Sequence, residues 1–281
     1  MSELVAGKLN WLERNLPEGL LVDASWLAKH DYSTALRRRY VKGGWLQQPA
    51  RQVYTRSRGP LSWQQVVISL QNLLQLRLVV GGRTALELHG FTHYLSQQTL
   101  EVHLYGPKAP PGWLKNLPIE SQFRYHNSQK LFRNDPVTIG IRSLDWDALD
   151  RHTPSEDTGS VGVQPWGHHL NWPLVVSSPE RAVLELLAEL PDHESFHQVD
   201  KLMEGMGRLG PKRLQKLLVD CKSVKVKRLF FFFADRHQHA WLKYLDKDKI
   251  DLGRGKRMLV KGGKFDSAYQ ITVPEDLDGV L

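Results

Sequence analysis

Basic and hydroxyl side chains are concentrated between residues 33 and 58, where their types and spacing suit contact with a polyanion. Guanidinium groups can pair with the two acceptors on guanine in the major groove, and ammonium and hydroxyl groups reach phosphate oxygens. The candidate DNA-contacting residues are Ser33, Thr34, Arg37, Arg38, Arg39, Lys42, Arg51, Arg56 and Arg58. Three consecutive arginines alone are more typical of a solvated helix face, so the prediction depends on the elements that hold them.

A short helix is predicted to carry most of these residues. Ser33 suits the N-cap position, and Gly43-Gly44 suits the end of the helix. With a period of 3.6 residues, Leu36 and Tyr40 share one apolar face. The side chains predicted to point away from that face are Thr34, Arg37, Arg38 and Lys42.

A second predicted helix lies just upstream. Asp23 is a suitable cap for a helix that ends at His30, and only two residues separate this helix from Ser33. Two helices joined by so short a connection follow the helix-turn-helix order. In that motif the second helix enters the major groove of DNA.

A short hairpin is predicted to follow the second helix. Its strand-like segments are residues 45–48 and 52–56, and the predicted turn covers residues 48–51 with Pro49 in its second position. Arg51 in this turn and the arginine at the end of the second segment are expected to touch phosphate. Together with the two helices, the hairpin predicts a winged helix-turn-helix that binds double-stranded DNA.

One short match to the zinc-protease pattern HExxH occurs at residues 193–197. In such enzymes both histidines lie on one face in mid-helix, the Glu acts as a base, and a third ligand follows. Here Pro191-Asp192 places the match at a helix start or in a loop, and Met203 stands where one version of the pattern has its third histidine. We interpret the match as coincidental and expect His193 and His197 to bind no zinc, with no metal site and no catalytic residues elsewhere.

A Gly-Gly pair lies between a predicted strand and a predicted helix. Gly81-Gly82 resembles the opening of nucleotidyltransferase folds, in which glycines let the backbone approach a triphosphate and two acids on the next strand hold magnesium. The next strand here offers Glu101 and His103 on one face, which is only one carboxylate. A tight strand-to-helix turn is the favoured interpretation, and a degenerate nucleotidyltransferase-like core is the alternative.

Two further basic segments lie in the second half of the chain. The first contains Lys222, Lys225, Lys227 and Arg228. Its alternation with Val224 and Val226 predicts a strand, whose cations would form either a second polyanion surface or an ordinary solvated face. The second, residues 253–257 (GRGKR), could cradle a phosphate, but it lacks the full phosphate-loop spacing, so a turn in a basic hairpin is favoured.

The composition predicts a folded protein with polyanionic partners. The chain has 281 residues, of which 41% are hydrophobic, and its 38 basic and 30 acidic residues give a formal charge of +8. This charge favours nucleic acid or a membrane surface without distinguishing them. Cys221 is the single cysteine, so an internal disulfide is excluded and burial is expected. No apolar run is long enough to cross a bilayer, and no signal-peptide order is evident, so we expect a cytoplasmic protein without membrane partners or cofactors.

The pattern of elements predicts an α+β protein. A hinge at Gly59-Pro60 separates a winged helix at residues 1–59 from a larger mixed α/β domain at residues 60–281, which has a helical and β-hairpin C-terminal part and a subdivision near residue 177. Other expected elements are a helix at 62–76, strands at 99–105, 122–125, 137–141 and 174–177, a polar loop at 153–162, and a helix that starts at Ser178-Pro179.

The winged-helix stretch and several later segments together cover nearly the whole chain. They are residues 20–54, VVGGRTALELHG at 79–90, EVHLYG at 101–106, SSPERAVLELL at 177–187, KSVKVKRLFFFFA at 222–234, IDLGRGKR at 250–257 and YQITVP at 269–274. With these segments the chain resembles the AbiEi-type antitoxins of type IV toxin–antitoxin systems, which are bacterial transcriptional regulators. The resemblance implies an N-terminal winged helix that binds the operon's own promoter and a C-terminal domain that counteracts a nucleotidyltransferase-like toxin, without assuming direct contact with the toxin. It implies no catalytic residues.

Two classes of function follow from the sequence. The first is a DNA-binding autorepressor and antitoxin. The second is an enzyme that acts on nucleic acid or nucleotides and is built on the Gly81-Gly82 unit. Glu101 is the only carboxylate on the strand that also carries His103, and this argues against the enzyme. Another acid beside Glu101 in the folded chain would favour it.

Overall fold

The computed structural model describes residues 2–56, 59–91, 100–134, 161–166 and 172–278. Arg58, the predicted strand at 137–141 and most of the predicted loop at 153–162 lie outside these ranges, and the last two residues of that loop belong to a strand. Within the described residues, helices combine with three β-sheets, which confirms the mixed α and β class. None of the described helices has the length and apolar character needed to cross a membrane.

Three helices and a small sheet form the first part of the chain. The helices are α1 (Ser2–Asn15), α2 (Ala24–Lys29) and α3 (Thr34–Lys42). The strands β1 (Leu21–Asp23), β2 (Gln47–Ala50) and β3 (Val53–Thr55) form an antiparallel sheet in the order β1-β3-β2. The Asp23 carboxylate accepts a hydrogen bond of 2.8 Å from the Trp26 amide, which confirms the predicted cap of α2.

A helix with a capping box follows. Helix α4 (Trp63–Ile68) begins after Ser62, whose hydroxyl and backbone amide both bond with Gln65. The expected longer helix then changes to a π-helical turn at Ser69–Leu73. The Ser69 hydroxyl accepts from the Leu21 amide at 2.9 Å, so this turn ties the second part of the chain to β1.

A five-stranded sheet forms the centre of the larger part. Its strands are β4 (Val79–Val80), β5 (Glu101–Gly106), β6 (Gln122–Asn127), β7 (Val161–Trp166) and β8 (Trp172–Ser177), in the order β6-β5-β4-β8-β7. The β5–β6 and β4–β8 pairs are parallel, and the other two pairs are antiparallel. Helix α5 (Gly82–Leu88) follows β4 directly. The strands predicted at 99–105, 122–125 and 174–177 are therefore confirmed within one or two residues.

Four helices and a hairpin complete the described chain. They are α6 (Pro179–Ala188), α7 (Phe196–Glu204), α8 (Pro211–Asp220), α9 (Val224–His237), β9 (Lys264–Asp266) and β10 (Ile271–Val273). Short 3₁₀ turns cover Gly112–Asn116, Ser128–Lys130, Ala240–Tyr244, Lys247–Lys249 and Glu275–Asp278. Pro179 takes the first position of α6 as predicted, but the Ser178 hydroxyl makes no capping hydrogen bond.

Two large apolar clusters hold these elements together. One joins the first part of the chain to α4 and the five-stranded sheet, so that Leu20 and Val53 belong to the same buried cluster as Val66 and Leu104. The other forms the interior of the C-terminal helices and includes Cys221, whose burial raises the pKa of its thiol to about 11. The boundary at residues 59–60 stays a prediction, and the first cluster extends across it.

Candidate nucleic-acid interface

Helix α3 has the ends that its sequence predicts. The Ser33 hydroxyl accepts a hydrogen bond of 3.2 Å from the Leu36 amide and so caps the helix. Gly43 ends the helix, and Gly44 has a φ of +74°, a backbone conformation that favours glycine. Both ends of α3 are therefore fixed by local chemistry.

The inner face of α3 packs against the first part of the chain. Tyr40 is 3% exposed and its ring meets that of Tyr32 edge to face, with centroids 6.1 Å apart. Leu36 is half-buried and packs against the same apolar cluster. The predicted inner face of Leu36 and Tyr40 is confirmed.

Arg37 lies on this inner face, contrary to the prediction that it points away. Its Nη1 donates to the Ala24 carbonyl at 3.1 Å, and its Nη2 donates to the Thr34 hydroxyl at 2.8 Å. The guanidinium also lies over the Tyr54 ring, 5.8 Å from its centroid. The reason is helical spacing, because Arg37 precedes the buried Tyr40 by three residues and shares its side of the helix. Arg37 thus connects α3 to the start of α2 and to β3.

The outer face of α3 carries the exposed cations. Thr34, Arg38 and Lys42 follow one another at intervals of four residues, and Arg39 lies beside them. All four are exposed. Within the described residues, Arg38, Arg39 and Lys42 have no hydrogen-bond or ion-pair partner. This face therefore presents three uncompensated positive charges, and Ala35, which the sequence did not single out, is exposed with them.

The hairpin has a different turn from the one predicted. Ala50 pairs with Val53, so the turn consists of Arg51 and Gln52, and Gln52 takes a φ of +65°. Pro49 lies inside β2 instead of in the turn. Proline is tolerated there because β2 is an edge strand and its pairing with β3 is irregular between residues 47 and 50. The N–H that proline lacks is therefore not needed for a hydrogen bond between the strands.

The two arginines at the β2–β3 hairpin have different surroundings. Arg51 is exposed at the tip of the hairpin, where contact with phosphate is sterically open. Arg56 donates from Nη1 to the carbonyls of Glu13 and Leu16, both at 2.9 Å, and pairs with the Glu13 carboxylate at 3.8 Å. Arg56 therefore connects the hairpin to the C-terminal end of α1, where a positive charge is favourable. Arg58 lies outside the described residues.

Exposed side chains beside the β2–β3 hairpin extend this surface. Trp45 is 51% exposed between α3 and β2, and Gln47 and Gln48 on β2 are also exposed. In the sequence, the Gly-Gly-Trp succession places Trp45 at the start of the hairpin. It does not indicate that the indole ring faces solvent. An exposed tryptophan next to cations suits a nucleic-acid surface, because indole can pack on sugars and bases.

A buried carboxylate occupies the region around Gly81-Gly82. A Cβ on Gly81 would overlap the Glu185 carboxylate and the Tyr105 ring, and the Gly82 amide donates to Glu185 Oε2 at 3.0 Å. Gly82 has a φ of +53°. The glycines thus admit the Glu185 side chain of α6, which pairs with Arg181 at 2.7 Å and fills the space that a triphosphate would need. This supports the interpretation as a strand-to-helix turn.

The strand after this turn also lacks a pair of acids within the described residues. Glu101 pairs with Arg124 on the neighbouring β6. His103 Nδ1 lies 3.1 Å from His126 Nε2, and His126 Nδ1 lies 3.2 Å from the Glu189 carboxylate. Burial, followed by repulsion from His126, lowers the pKa of His103 to about 4, so His103 is neutral at pH 7. Glu101 faces a cation where a magnesium site would need a second acid, and this gives the enzyme alternative no support.

The HExxH match lies where the sequence predicts. His193 and Glu194 precede α7, and His197 is in its first turn. Glu194 pairs with Arg83, and His197 Nε2 lies 3.5 Å from the Asp276 carboxylate. The described residues contain no cluster of three or more His, Cys, Asp or Glu side chains arranged for a metal. The expectation that His193 and His197 bind no zinc stays a prediction.

The basic segment at residues 222–228 is helical, so the predicted strand is wrong. The Ser223 hydroxyl caps α9 by accepting from the Val226 amide at 3.3 Å. Lys227 and Arg228 are each only 3% exposed, and therefore do not belong to an exposed basic face. The alternation of valine and lysine covers too few residues to outweigh the long apolar helix that follows.

The two lysines before these residues are also engaged. Lys225 Nζ donates to the carbonyls of Ala188 and Leu190, at 2.8 and 2.6 Å, beyond the last turn of α6. Lys222 Nζ donates to the Gln129 carbonyl at 2.7 Å. These ammonium groups satisfy carbonyls that would otherwise lack donors, as lysines do at helix C-termini.

Comparison with known families covers almost the whole chain. Residues 5–97 match the model described as "Transcriptional regulator, AbiEi antitoxin N-terminal domain". Residues 99–274 match "Transcriptional regulator, AbiEi antitoxin, Type IV TA system". The chain belongs to the AbiEi family. It is thus a member of a family of transcriptional regulators and antitoxins of type IV toxin–antitoxin systems, as the sequence resemblance predicts.

A solved structure shares the fold of this AbiEi-family chain. The crystal structure of the RV2827C protein from Mycobacterium tuberculosis superposes with a TM-score of 0.54. It covers 96% of this chain and 89% of its own, at 14% sequence identity, so the likeness concerns the fold alone. A comparison with curated proteins found no match.

Proposed function

We propose that this AbiEi-family chain represses its own operon by binding the promoter through a winged helix-turn-helix. In this proposal α2 and α3 are the two helices, the β2–β3 hairpin is the wing, and the DNA-binding domain covers residues 1–59. The larger part, residues 60–281, carries the antitoxic activity against a nucleotidyltransferase-like toxin. The family match supports regulation and antitoxicity, while the operator, the repression and the toxin belong to the proposal.

The observation that carries the proposal is the exposed face of α3. Arg38, Arg39 and Lys42 have no partner within the described residues, whereas the nearby Arg37 and Arg56 are bound by main-chain carbonyls. Exposed unpaired cations on a firmly capped helix can neutralise phosphates or pair with guanine without breaking any internal contact.

The geometry suggests how each part contributes. With α3 in the major groove, Arg38 and Arg39 are placed to read base edges or phosphates, and Thr34 and Ser33 lie at the end of the helix that usually meets DNA first. The tip of the wing would then bring Arg51 to the backbone. Base contacts give specificity, and phosphate contacts give affinity that decreases with salt.

The test is the double substitution Arg38→Ala with Arg39→Ala. We expect a loss of about 2–5 kcal/mol in binding free energy for promoter DNA, because each arginine makes a base or phosphate contact. Affinity is measured by fluorescence anisotropy at fixed salt, with thermal unfolding to verify the fold. The matched control is Lys212→Ala with Lys216→Ala, which removes two exposed charges from α8 and should change promoter affinity much less.

The same double variant separates repression from antitoxicity. Expressed from an unrelated promoter, the Arg38→Ala, Arg39→Ala protein should still protect toxin-producing cells while failing to repress a promoter–reporter fusion. An intact chain is preferable to fragments because the apolar cluster extends across residues 59–60. Loss of protection together with repression, in a folded variant, would show that the activities are not divided as proposed. Unchanged promoter affinity would rule out α3 as the reading helix.

A further inference from the structure

A small cavity lies in the C-terminal part, away from α3. Its volume is about 240 Å³, and its walls include Arg228, Arg254, Gly255 and Tyr269. Pockets for drug-sized ligands usually have about 300–1,000 Å³, so this cavity fits a smaller group. No residue that lines it carries a carboxylate. An anion inside it would therefore meet only positive or neutral side chains.

Arg228 is an almost fully buried cation at this cavity. Its Nε donates to the Leu252 carbonyl at 2.7 Å, and its Nη1 donates to the carbonyls of Gly255 and Gln270, at 2.6 and 3.4 Å. Within the described residues, its Nη2 has no hydrogen-bond partner and its charge has no carboxylate partner. A buried charge without a counter-ion is unfavourable, so the free edge of this guanidinium points to an anionic ligand.

The loop that forms one wall is held in a fixed shape. Gly253 and Gly255 have φ values of +62° and +80°, and a Cβ on Gly253 would lie 2.9 Å from a methyl carbon of Val224. The Gly253 amide donates to the Asp251 carboxylate at 2.8 Å. The main-chain amides of Arg254 and Gly255 have no partner within the described chain. The loop at the wall of the cavity therefore carries main-chain N–H donors that no described group occupies.

The local field also favours an anion. Burial lowers the pKa of Arg228, and the positive charge of Arg257 lowers it further. Arg254 is exposed and belongs to the same wall of the cavity. A doubly charged anion in the cavity would offset the repulsion between Arg228 and Arg257 and would pair with Arg228 Nη2, which has no hydrogen-bond partner among the described residues.

We propose that this cavity binds a single phosphoryl group, with Arg228 Nη2 and Arg254 as its side-chain donors. The group is either free phosphate or the terminal phosphate of a nucleotide, since both present phosphoryl oxygens to Arg228 Nη2 and to the Arg254 guanidinium. The site lies in the part of the chain that matches the AbiEi antitoxin model at residues 99–274. It does not depend on DNA binding by α3.

Calorimetric titration of the full-length protein tests the site. The probes are inorganic phosphate, ATP and adenosine at a fixed ionic strength of about 0.15 M, at which interactions between distant surface charges are largely screened. Phosphate should bind at a single saturable site. ATP binding at least about tenfold more tightly than phosphate would identify a nucleotide as the source, and equal or weaker ATP binding would identify free phosphate. Adenosine should not bind.

Three variants distinguish the cavity from general surface charge. Arg254→Ala should weaken phosphate binding at least about tenfold, since it removes an exposed donor without disturbing the core. Arg208→Ala is the control, because it removes an equally exposed arginine that does not line the cavity. Arg228→Lys keeps the charge but loses the fork, so it should also weaken binding, and its thermal unfolding shows whether it folds.

Several outcomes would overturn the site. They are no saturable phosphate binding, adenosine binding as tightly as ATP, or an equal loss in Arg254→Ala and Arg208→Ala. Unchanged phosphate affinity in Arg254→Ala would do the same, whether or not Arg228→Lys folds.

Discussion

Two basic segments of this chain lie on helices and end in opposite environments. On α3, Arg38, Arg39 and Lys42 are exposed and have no partner within the described residues. On α9, Lys227 and Arg228 are each only 3% exposed. The first group is free to meet a polyanion, and the second is part of the interior of the protein.

The neighbours of each segment explain this difference. Helix α3 has nine residues and buries only one side, so its other side stays in water. Helix α9 continues into Phe230, Phe231 and Phe233, which are all fully buried and hold the middle of the helix in the core. Its basic side chains must then find acceptors, and Arg228 finds three main-chain carbonyls. Local charge thus predicts function only where the apolar neighbours leave the charge in solvent.

The largest effect is expected from Arg228→Met. This change removes the donor to the carbonyls of Leu252 and Gly255, while the Gln270 carbonyl keeps its hydrogen bond from the Arg257 amide. We expect the free energy of unfolding to fall by about 3 kcal/mol, measured by urea denaturation. Lys216→Met on the exposed face of α8 is the control and should stay within about 0.5 kcal/mol of the parent. Equal stability of both variants would contradict a structural role for the buried cation.

A pH-dependent loss of stability is expected from the buried His103. Burial and His126 lower its pKa to about 4 from the ordinary value of 6.5. Between these values the unfolded chain binds a proton at His103 and the folded chain does not, so stability should fall as the pH drops from 6.5 to 4. The loss is on the order of 2 kcal/mol.

Urea denaturation at pH 7 and pH 4.5 checks this expectation. The variant His103→Gln removes the titrating group while keeping a polar side chain beside His126. Its stability should decrease less between the two pH values than that of the parent chain. The same decrease in both proteins would assign the pH dependence to other groups.

A pair of neighbouring arginines on α3 gives a smaller and sharper contrast. Arg37→Ala should lower the free energy of unfolding by about 1–2 kcal/mol, because it removes donors to Ala24 and Thr34. Arg38→Ala should leave stability within about 0.5 kcal/mol and weaken promoter binding by about 1–3 kcal/mol. Denaturation and anisotropy are measured on both variants. A stability loss in Arg38→Ala larger than in Arg37→Ala would reverse the assignment.

Local chemistry made several elements predictable from the sequence. The caps at Ser33 and Asp23 and the first-turn proline of α6 involve residues a few positions apart, and all three helices start where predicted. The apolar face of Leu36 and Tyr40 follows from a helical period over one short segment. Such signals need no knowledge of the rest of the fold.

Contacts between distant segments could not be predicted. The carboxylate that fills the space at Gly81-Gly82 comes from Glu185, 103 residues after the amide to which it bonds. The acceptors of Arg228 lie 24 to 42 residues away. Residue types and spacing do not reveal such pairings. The wrong predictions for the basic segment and for Arg37 have local causes instead, because a long apolar helix follows the valine–lysine alternation at residues 222–228, and because Arg37 shares the side of α3 that carries Tyr40.

The smallest expected effect concerns the wing, where the same contrast occurs between two arginines. Arg51 is exposed at the tip of the hairpin, while Arg56 is bound to the carbonyls of Glu13 and Leu16. If Arg51 contacts a phosphate, Arg51→Ala should weaken binding to all DNA sequences alike, by less than about 1 kcal/mol at moderate salt. It should also reduce the slope of log affinity against log salt by about 1, because one fewer counterion is released. Anisotropy over a salt series with promoter and unrelated duplexes measures both quantities.

Arg56→Ala is the comparison, and it should lower thermal stability more than Arg51→Ala does. A loss confined to promoter DNA in Arg51→Ala would instead indicate that Arg51 reads bases, and an unchanged salt slope would remove the wing tip from the interface.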